Sequence, residues 1–268
     1  MRAAAVLLAG LCLGCPLRAG QPPKREAPNY TAASIVNSAS NLPGELSPNA
    51  IATIYGKELA YITRAIRAED IHNGVLPVTL PGTGVRVLVK RLTPAHIYYV
   101  SPGQVNFLVP ANLLPGPVEI QLVVDGRAGP EITVNLGSAS PALFQLDATT
   151  ALSTHADGSL VTRDTPARPG EDVVVYVNGL GQTDPSLVYG EVARAAATIR
   201  QLAELRVSLD GVVLDRGAIA YAGVTPGSAG LYQINLRLPR ETPADPELRI
   251  AIGEAASPPG VRLPVRPD

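Results

Sequence analysis

Tryptophan is absent from this chain, phenylalanine occurs twice and methionine once, and aromatic residues make up only 4% of the 268 positions. A core must therefore be built from Val, Leu, Ile and Ala, and its β-branched members favour strands. Charge is also scarce: 17% of residues are charged, and 22 Lys+Arg against 23 Asp+Glu leave a net charge of −1. That balance argues against a nucleic-acid binder, which needs a basic stripe to neutralise phosphates. The two cysteines, Cys12 and Cys15, both lie in the first fifteen residues. After Cys15 there is no thiol for a disulfide, a nucleophile or a zinc site. What is plentiful is glycine and proline, 25 and 26 residues, in a chain that is 46% hydrophobic. This describes a turn-rich globular protein, neither disordered nor mainly helical.

Met1-Arg2, the apolar run Ala3–Cys15 and the small residues Ala19-Gly20 follow the order of a secretory signal, with cleavage expected after Ala19 or Gly20. The run is too short to span a bilayer, and no later run approaches that length. The expected division is a signal over 1–20, a linker over 21–29 and two domains over 30–138 and 139–268. Leu13-Gly14-Cys15 also resembles the end of a lipoprotein signal, which makes Cys15 a candidate lipidation site with the following Pro-rich segment as tether. The expected location is secreted or in the cell envelope, with no membrane span in the mature chain.

Beyond residue 30, alternation dominates. Val85, Val87 and Val89 alternate with Arg86 and Leu88, and Val118, Ile120, Leu122 and Val124 with Glu119 and Gln121. Leu205, Val207 and Leu209, Leu248, Ile250 and Ile252, and Val261, Leu263 and Val265 do the same. Period two signifies half-buried strands, and Asp125-Gly126, Asp157-Gly158 and Asp210-Gly211 supply hairpin turns. Lys57–Asp70 and Glu191–Ala203 break the pattern with near-helical apolar spacing and predict a short helix or covering loop at equivalent places. Pro48–Tyr55 returns as Pro169–Tyr176. The Tyr99–Pro110 stretch, with Gln104-Val105-Asn106, returns within Tyr221–Pro239 with Gln233-Ile234-Asn235. The chain thus reads as all-β: two tandem immunoglobulin-like antiparallel β-sandwiches with short helical or loop insertions.

The motifs Ile54-Tyr55-Gly56, Tyr98–Phe107, Asp157-Gly158-Ser159, Tyr176–Pro185 and Tyr221-Ala222-Gly223 through Gln233-Ile234-Asn235 resemble the Solibacter uncharacterised C-terminal domain family of secreted acidobacterial proteins. The resemblance covers roughly residues 31–265. It implies secretion and tandem immunoglobulin-like repeats, and it supplies no mechanism. Two departures stand out. Family members carry this unit at the end of longer proteins, and Val89-Lys90-Arg91 replaces their Val-Asn-Gly turn.

No catalytic constellation emerges. His72, His96 and His155 are isolated, no Gly-x-Ser-x-Gly elbow occurs, and Glu69-Asp70 and Glu171-Asp172 are neighbours that would point to opposite faces of a strand. No cofactor or metal is expected, and an enzyme is not. Gln104 and Asn106, like Gln233 and Asn235, share one strand face. With Tyr98, Tyr99, Tyr221 and Tyr232 they form a candidate ligand platform for sugar hydroxyls. The alternative is that these amides tie down the adjacent Pro-Gly loops. The function read from these residues is a secreted non-enzymatic module for extracellular adhesion, scaffolding or protein interaction, with a carbohydrate-binding module as the alternative. Its partner would be an extracellular protein or polysaccharide.

Overall fold

A computed structural model describes residues 25–267; the expected signal, Cys12, Cys15 and the start of the linker lie outside them. The described chain is all-β, with single-turn 3-10 segments and no α-helix, and folds as two immunoglobulin-like sandwiches.

In the first sandwich, one sheet runs Ile35–Asn37, Ile51–Tyr55, Gln104–Leu108, His96–Ser101 and Arg64–Ala65. The other runs Ile132–Leu136, Gly116–Val124, Val85–Val89 and Thr93–Pro94. In the second, Asp172–Asn178, Tyr232–Arg237 and Ile219–Val224 form the centre of the larger sheet. Leu205–Leu209 and Leu248–Ile252 form the centre of the smaller one. Every strand pair within these sheets is antiparallel. Each space between sheets is filled by mainly aliphatic side chains: Ile54, Val87 and Leu122 with the aromatic Phe107 in one sandwich, Val175, Val207, Ile234 and Ile250 in the other. The alternation in sequence is thus the alternation between core and solvent.

The repeat is also visible in register. Ile51–Tyr55 pairs with Gln104–Leu108 so that Thr53 faces Asn106 and Tyr55 faces Gln104. In the second sandwich Val174 faces Asn235 and Tyr176 faces Gln233. Each copy also has one β-bulge, between Ile97 and Tyr99 and between Ile219 and Tyr221.

The two stretches with helical spacing are extended instead. Arg64–Ala65 pairs with His96–Ser101, and Ala197–Ile199 pairs with Ile219–Val224, as equivalent added strands. Sheet-edge hydrogen bonds outweigh the weak local preference, leaving only the 3-10 turns Ala68–Asp70 and Leu202–Glu204. Val261, Leu263 and Val265 are buried as expected, but this stretch makes isolated bridges rather than a strand. Pro264 lacks the N–H that a ladder would use. The linker expected over 21–29 is laid against the first sandwich from Arg25 onward. Arg25 stacks on Tyr61 at 4.0 Å, Asn29 bridges to Lys57, and the buried Tyr30 hydroxyl donates to Pro130 O at 2.6 Å.

Asp125-Gly126 and Asp210-Gly211 both have positive φ at both residues, the signature of a tight hairpin. Lys90 and Arg91 adopt the same region at φ 49° and 64° without the side chains that tolerate it. Arg91 is offset by a two-pronged pairing with Glu131 at 2.8 and 2.7 Å, whereas exposed Lys90 has no such return. Replacing Lys90 by Asn should raise unfolding stability by about 0.5–1 kcal/mol. Urea denaturation reads this as a higher midpoint with unchanged slope, and an unchanged or lower midpoint would refute it.

Candidate ligand site at the junction of the two sandwiches

The sandwiches meet through a buried polar contact centred on Asn178, the last residue of Asp172–Asn178 and fully buried at 0% exposure. Its Oδ1 accepts from Ile51 N–H at 2.9 Å, and its Nδ2 donates to Ile51 O at 2.7 Å and to Asn37 Oδ1 at 2.9 Å. A side-chain amide of one sandwich thereby stands in for a strand residue at the end of the other's sheet. Asn37 Nδ2 in turn donates to Ser140 O at 2.9 Å, which pins the segment joining the sandwiches.

The Gly-x-Gly of this motif has a packing role. Gly179 and Gly181 have φ 75° and 84°, and a Cβ on either would collide with the backbone oxygen of Ser140 or Ser138. The residues after them form a strap across the first sandwich. Tyr189 Oη donates to Leu108 O at 3.0 Å and accepts from His96 N–H at 3.3 Å. Leu76 N–H donates to Gly190 O at 2.9 Å, and Val192 N–H to Gly74 O at 2.7 Å. Leu76, Leu108 and Ala229 make a small apolar core beneath it.

The eight platform residues do not come together. Tyr98 and Tyr232 point into the junction: Tyr98 Oη donates to Ala229 O, while Tyr232, 0% exposed, donates to Gly181 O and accepts from Asn49 Nδ2 at 3.1 Å. Burial pushes both phenols well above their ordinary range, so they stay neutral. Tyr99, Gln104 and Asn106 lie half-buried on the outer face of one sheet, and Tyr221, Gln233 and Asn235 on that of another. In both copies the Gln Nε2 donates to the Asn Oδ1 at 2.8 Å. The amides therefore brace one another and not the Pro-Gly loop, which backbone bonds from Gly56 and Leu59 hold to Gly103 O and Pro102 O. Tyr221 Oη accepts from Ala197 N–H at 3.2 Å and donates to Val224 O at 2.8 Å.

Two histidines are likewise engaged. His96 Nδ1 donates to Leu76 O at 2.5 Å, and its ring meets Tyr189 edge-on at 4.5 Å. Burial lowers its pKa. His155 Nδ1 bonds Glu171 Oε1 and its Nε2 faces Thr165 O at 3.2 Å, so both nitrogens are best used as donors. The Glu171 carboxylate raises its pKa, with Asp157 adding to the effect. No group of His, Cys, Asp and Glu able to hold a metal occurs among the described residues.

Beside the junction lies an open cleft of about 320 Å³ lined from both sandwiches, by Asn49, Asn112 and Leu114 on one side and Gln182, Ser186 and Arg200 on the other. A second hollow of about 170 Å³ adjoins it and shares Leu114, Gln182 and Arg200. Arg200 is fixed by neutral acceptors: Nε on Thr183 O at 3.2 Å, one terminal nitrogen on Gln182 Oε1 at 2.8 Å and the other on Ser186 Oγ at 2.6 Å. The platform reading missed Asn49, Asn112, Asn178, Tyr189 and Arg200. One available signal was non-recurrence: by repeat alignment Asn178 corresponds to Lys57, Asn49 to Gly170 and Tyr98 to Ala220.

No family model matches the chain, and no curated protein does. Among solved structures, similarity is found to a Bacteroides ovatus surface glycan-binding protein from a mixed-linkage glucan utilization locus, in complex with a heptasaccharide. Identity is 11%, TM-score 0.34, over 90% of this chain and 47% of that one. A surface glycan-binding protein of Prevotella bryantii gives 13% and 0.26, over 85% and 39%. Domains 5–6 of the S-layer protein SbsC give 10% and 0.31, over 89% and 98%. The chain spans less than half the length of the two glycan-binding proteins. No helix among the described residues is long and apolar enough to cross a membrane.

Replacing Asn178 by Ala strands the Ile51 N–H, removes three hydrogen bonds across the junction and leaves the Ile51 carbonyl only its bond from Ser38 N–H, and should cost about 2–4 kcal/mol. Denaturation of the full chain measures this, and a loss under about 1 kcal/mol would show the contact to be incidental. The histidines set opposite pH limbs. His96, with its pKa depressed, contributes stability above its ordinary value of 6.5 that is lost as pH falls toward its folded pKa. His155, with its pKa raised, contributes stability below 6.5 that is lost as pH rises through its folded pKa. In thermal melts across about pH 5–9, His96→Asn should flatten the acid limb and His155→Gln the neutral-to-alkaline one. Unchanged limbs would refute the assignment.

Proposed function

We propose that this chain is a secreted, non-enzymatic binding module that presents two rigidly joined sandwiches for extracellular adhesion, scaffolding or protein interaction. The observation that carries the reading is the buried Asn178 contact, which fixes the relative placement of two sheet-and-loop surfaces. A rigid scaffold presenting loops is the arrangement by which sandwiches recognise partners at low ordering cost. Further support comes from how the polar groups are used. The His96 Nδ1 and both His155 nitrogens are committed to carbonyl or carboxylate partners, and the junction hydroxyls of Tyr98, Tyr189 and Tyr232 donate to backbone carbonyls, so these groups serve to hold the two sandwiches in shape. Secretion, cleavage after Ala19 or Gly20, the lipidation alternative at Cys15 and kinship with the acidobacterial family rest on the sequence motifs.

The test is expression of the full chain in a bacterial host, with mass spectrometry of its N-terminus and beads carrying the protein offered to isolated cell envelopes and polysaccharides. Export with processing, together with saturable adhesion that heat denaturation abolishes, is the expected result. Retention of an uncleaved chain in the cytoplasm, or turnover of ester, glycoside or peptide substrates by the purified protein, would overturn it.

A further inference from the structure

We infer that the cleft beside the junction is a binding site for an acidic saccharide, with Arg200 taking the carboxylate of a uronate unit; this rests on the binding-module reading above and names its ligand class. The argument starts from unspent bonding capacity. Arg200 has five N–H donors and uses three on neutral acceptors, and among the described residues no carboxylate pairs with it. Its three bonds hold the guanidinium in one orientation, so the two remaining N–H groups are pre-oriented at the price of little further ordering.

The surroundings define the rest of the ligand. Asn112 makes no hydrogen bond within the described protein, and the Asn49 side chain uses only its Nδ2, on Tyr232. A donor-acceptor amide and a free carbonyl oxygen suit hydroxyl groups, which both give and accept hydrogen bonds. Leu114 is 74% exposed at the rim, and Leu187 completes an apolar wall suited to the C–H face of a sugar ring. At about 320 Å³ the cleft lies at the low end of small-molecule sites. The adjoining hollow shares Arg200, which places the cation between two compartments. A lone inorganic anion would leave both hollows unfilled, whereas neighbouring units of an acidic chain would occupy them with one carboxylate between.

Isothermal titration of the full chain compares a tetramer of galacturonate with a neutral glucose tetramer and with sodium acetate. Binding of the uronate tetramer alone, weakening as salt rises, is expected. Arg200→Gln should lower that affinity about tenfold or more. Because Arg200 also braces Thr183, Gln182 and Ser186, two further variants keep the test decisive. Arg200→Lys, retaining charge, should bind better than Arg200→Gln. Asn112→Ala, which breaks no internal bond, should weaken binding with an unchanged melting temperature. Equal binding of the neutral tetramer, no uronate binding by the wild type, or affinity unaltered by Arg200→Gln and Asn112→Ala would overturn the site. Envelope adhesion without uronate binding would sink this inference and leave the module reading standing. Cleavage of the tetramer would sink the non-enzymatic reading.

Discussion

A single carboxamide, that of the fully buried Asn178, binds both backbone groups of Ile51. Buried amide groups tolerate few arrangements, because each unpaired donor or acceptor forfeits its hydration without return. Two sandwiches held by a short joining segment alone would be free to rotate against one another. In the observed orientation one amide pairs with Ile51 N–H, Ile51 O and Asn37 Oδ1 together. The Tyr189 strap, the Tyr232–Asn49 contact and the cleft between the sandwiches all follow from that placement.

Duplication explains how such a junction arises from two like units. Residues that build a sandwich recur in both: the central strands, the bulge, and the Gln-x-Asn pair that braces the outer sheet face. Residues that join the sandwiches do not recur, because each unit meets the other with a different surface. Asn178 with Lys57 as its counterpart, and Tyr98 with Ala220, illustrate the divergence. Arg200 belongs to the same set of one-sided features, which is why a site built on it sits at the junction and not on either sheet.

Much of the fold was legible in the residues. Val85–Val89, Leu205–Leu209 and Leu248–Ile252 alternate so strictly that one face of each is buried, and the Asp-Gly pairs at 125–126 and 210–211 form hairpins of the expected kind. Errors came where local preference was weak and tertiary pairing strong. Arg64–Ala65 and Ala197–Ile199 were in helical-looking stretches yet joined sheet edges, and Val261–Val265 lost its ladder to Pro264. For the site, adjacency in sequence misled. Tyr98 and Tyr99 are neighbours, but Tyr98 is the unpaired residue of the bulge between Ile97 and Tyr99, so it is drawn into the junction while Tyr99 stays on the outer face.

Composition and periodicity by themselves determined that this would be a β-rich, aliphatic, cysteine-poor pair of repeats, because the alternation of apolar and polar residues is a property of each strand alone. Which side chains face the junction was decided only by the tertiary structure. That depends on how a bulge turns one tyrosine, how two glycines admit a neighbouring backbone, and which amide finds an open strand end more than a hundred residues away. Such pairings leave no periodic trace, and it is they that set Arg200 beside Asn112 and shape the cleft.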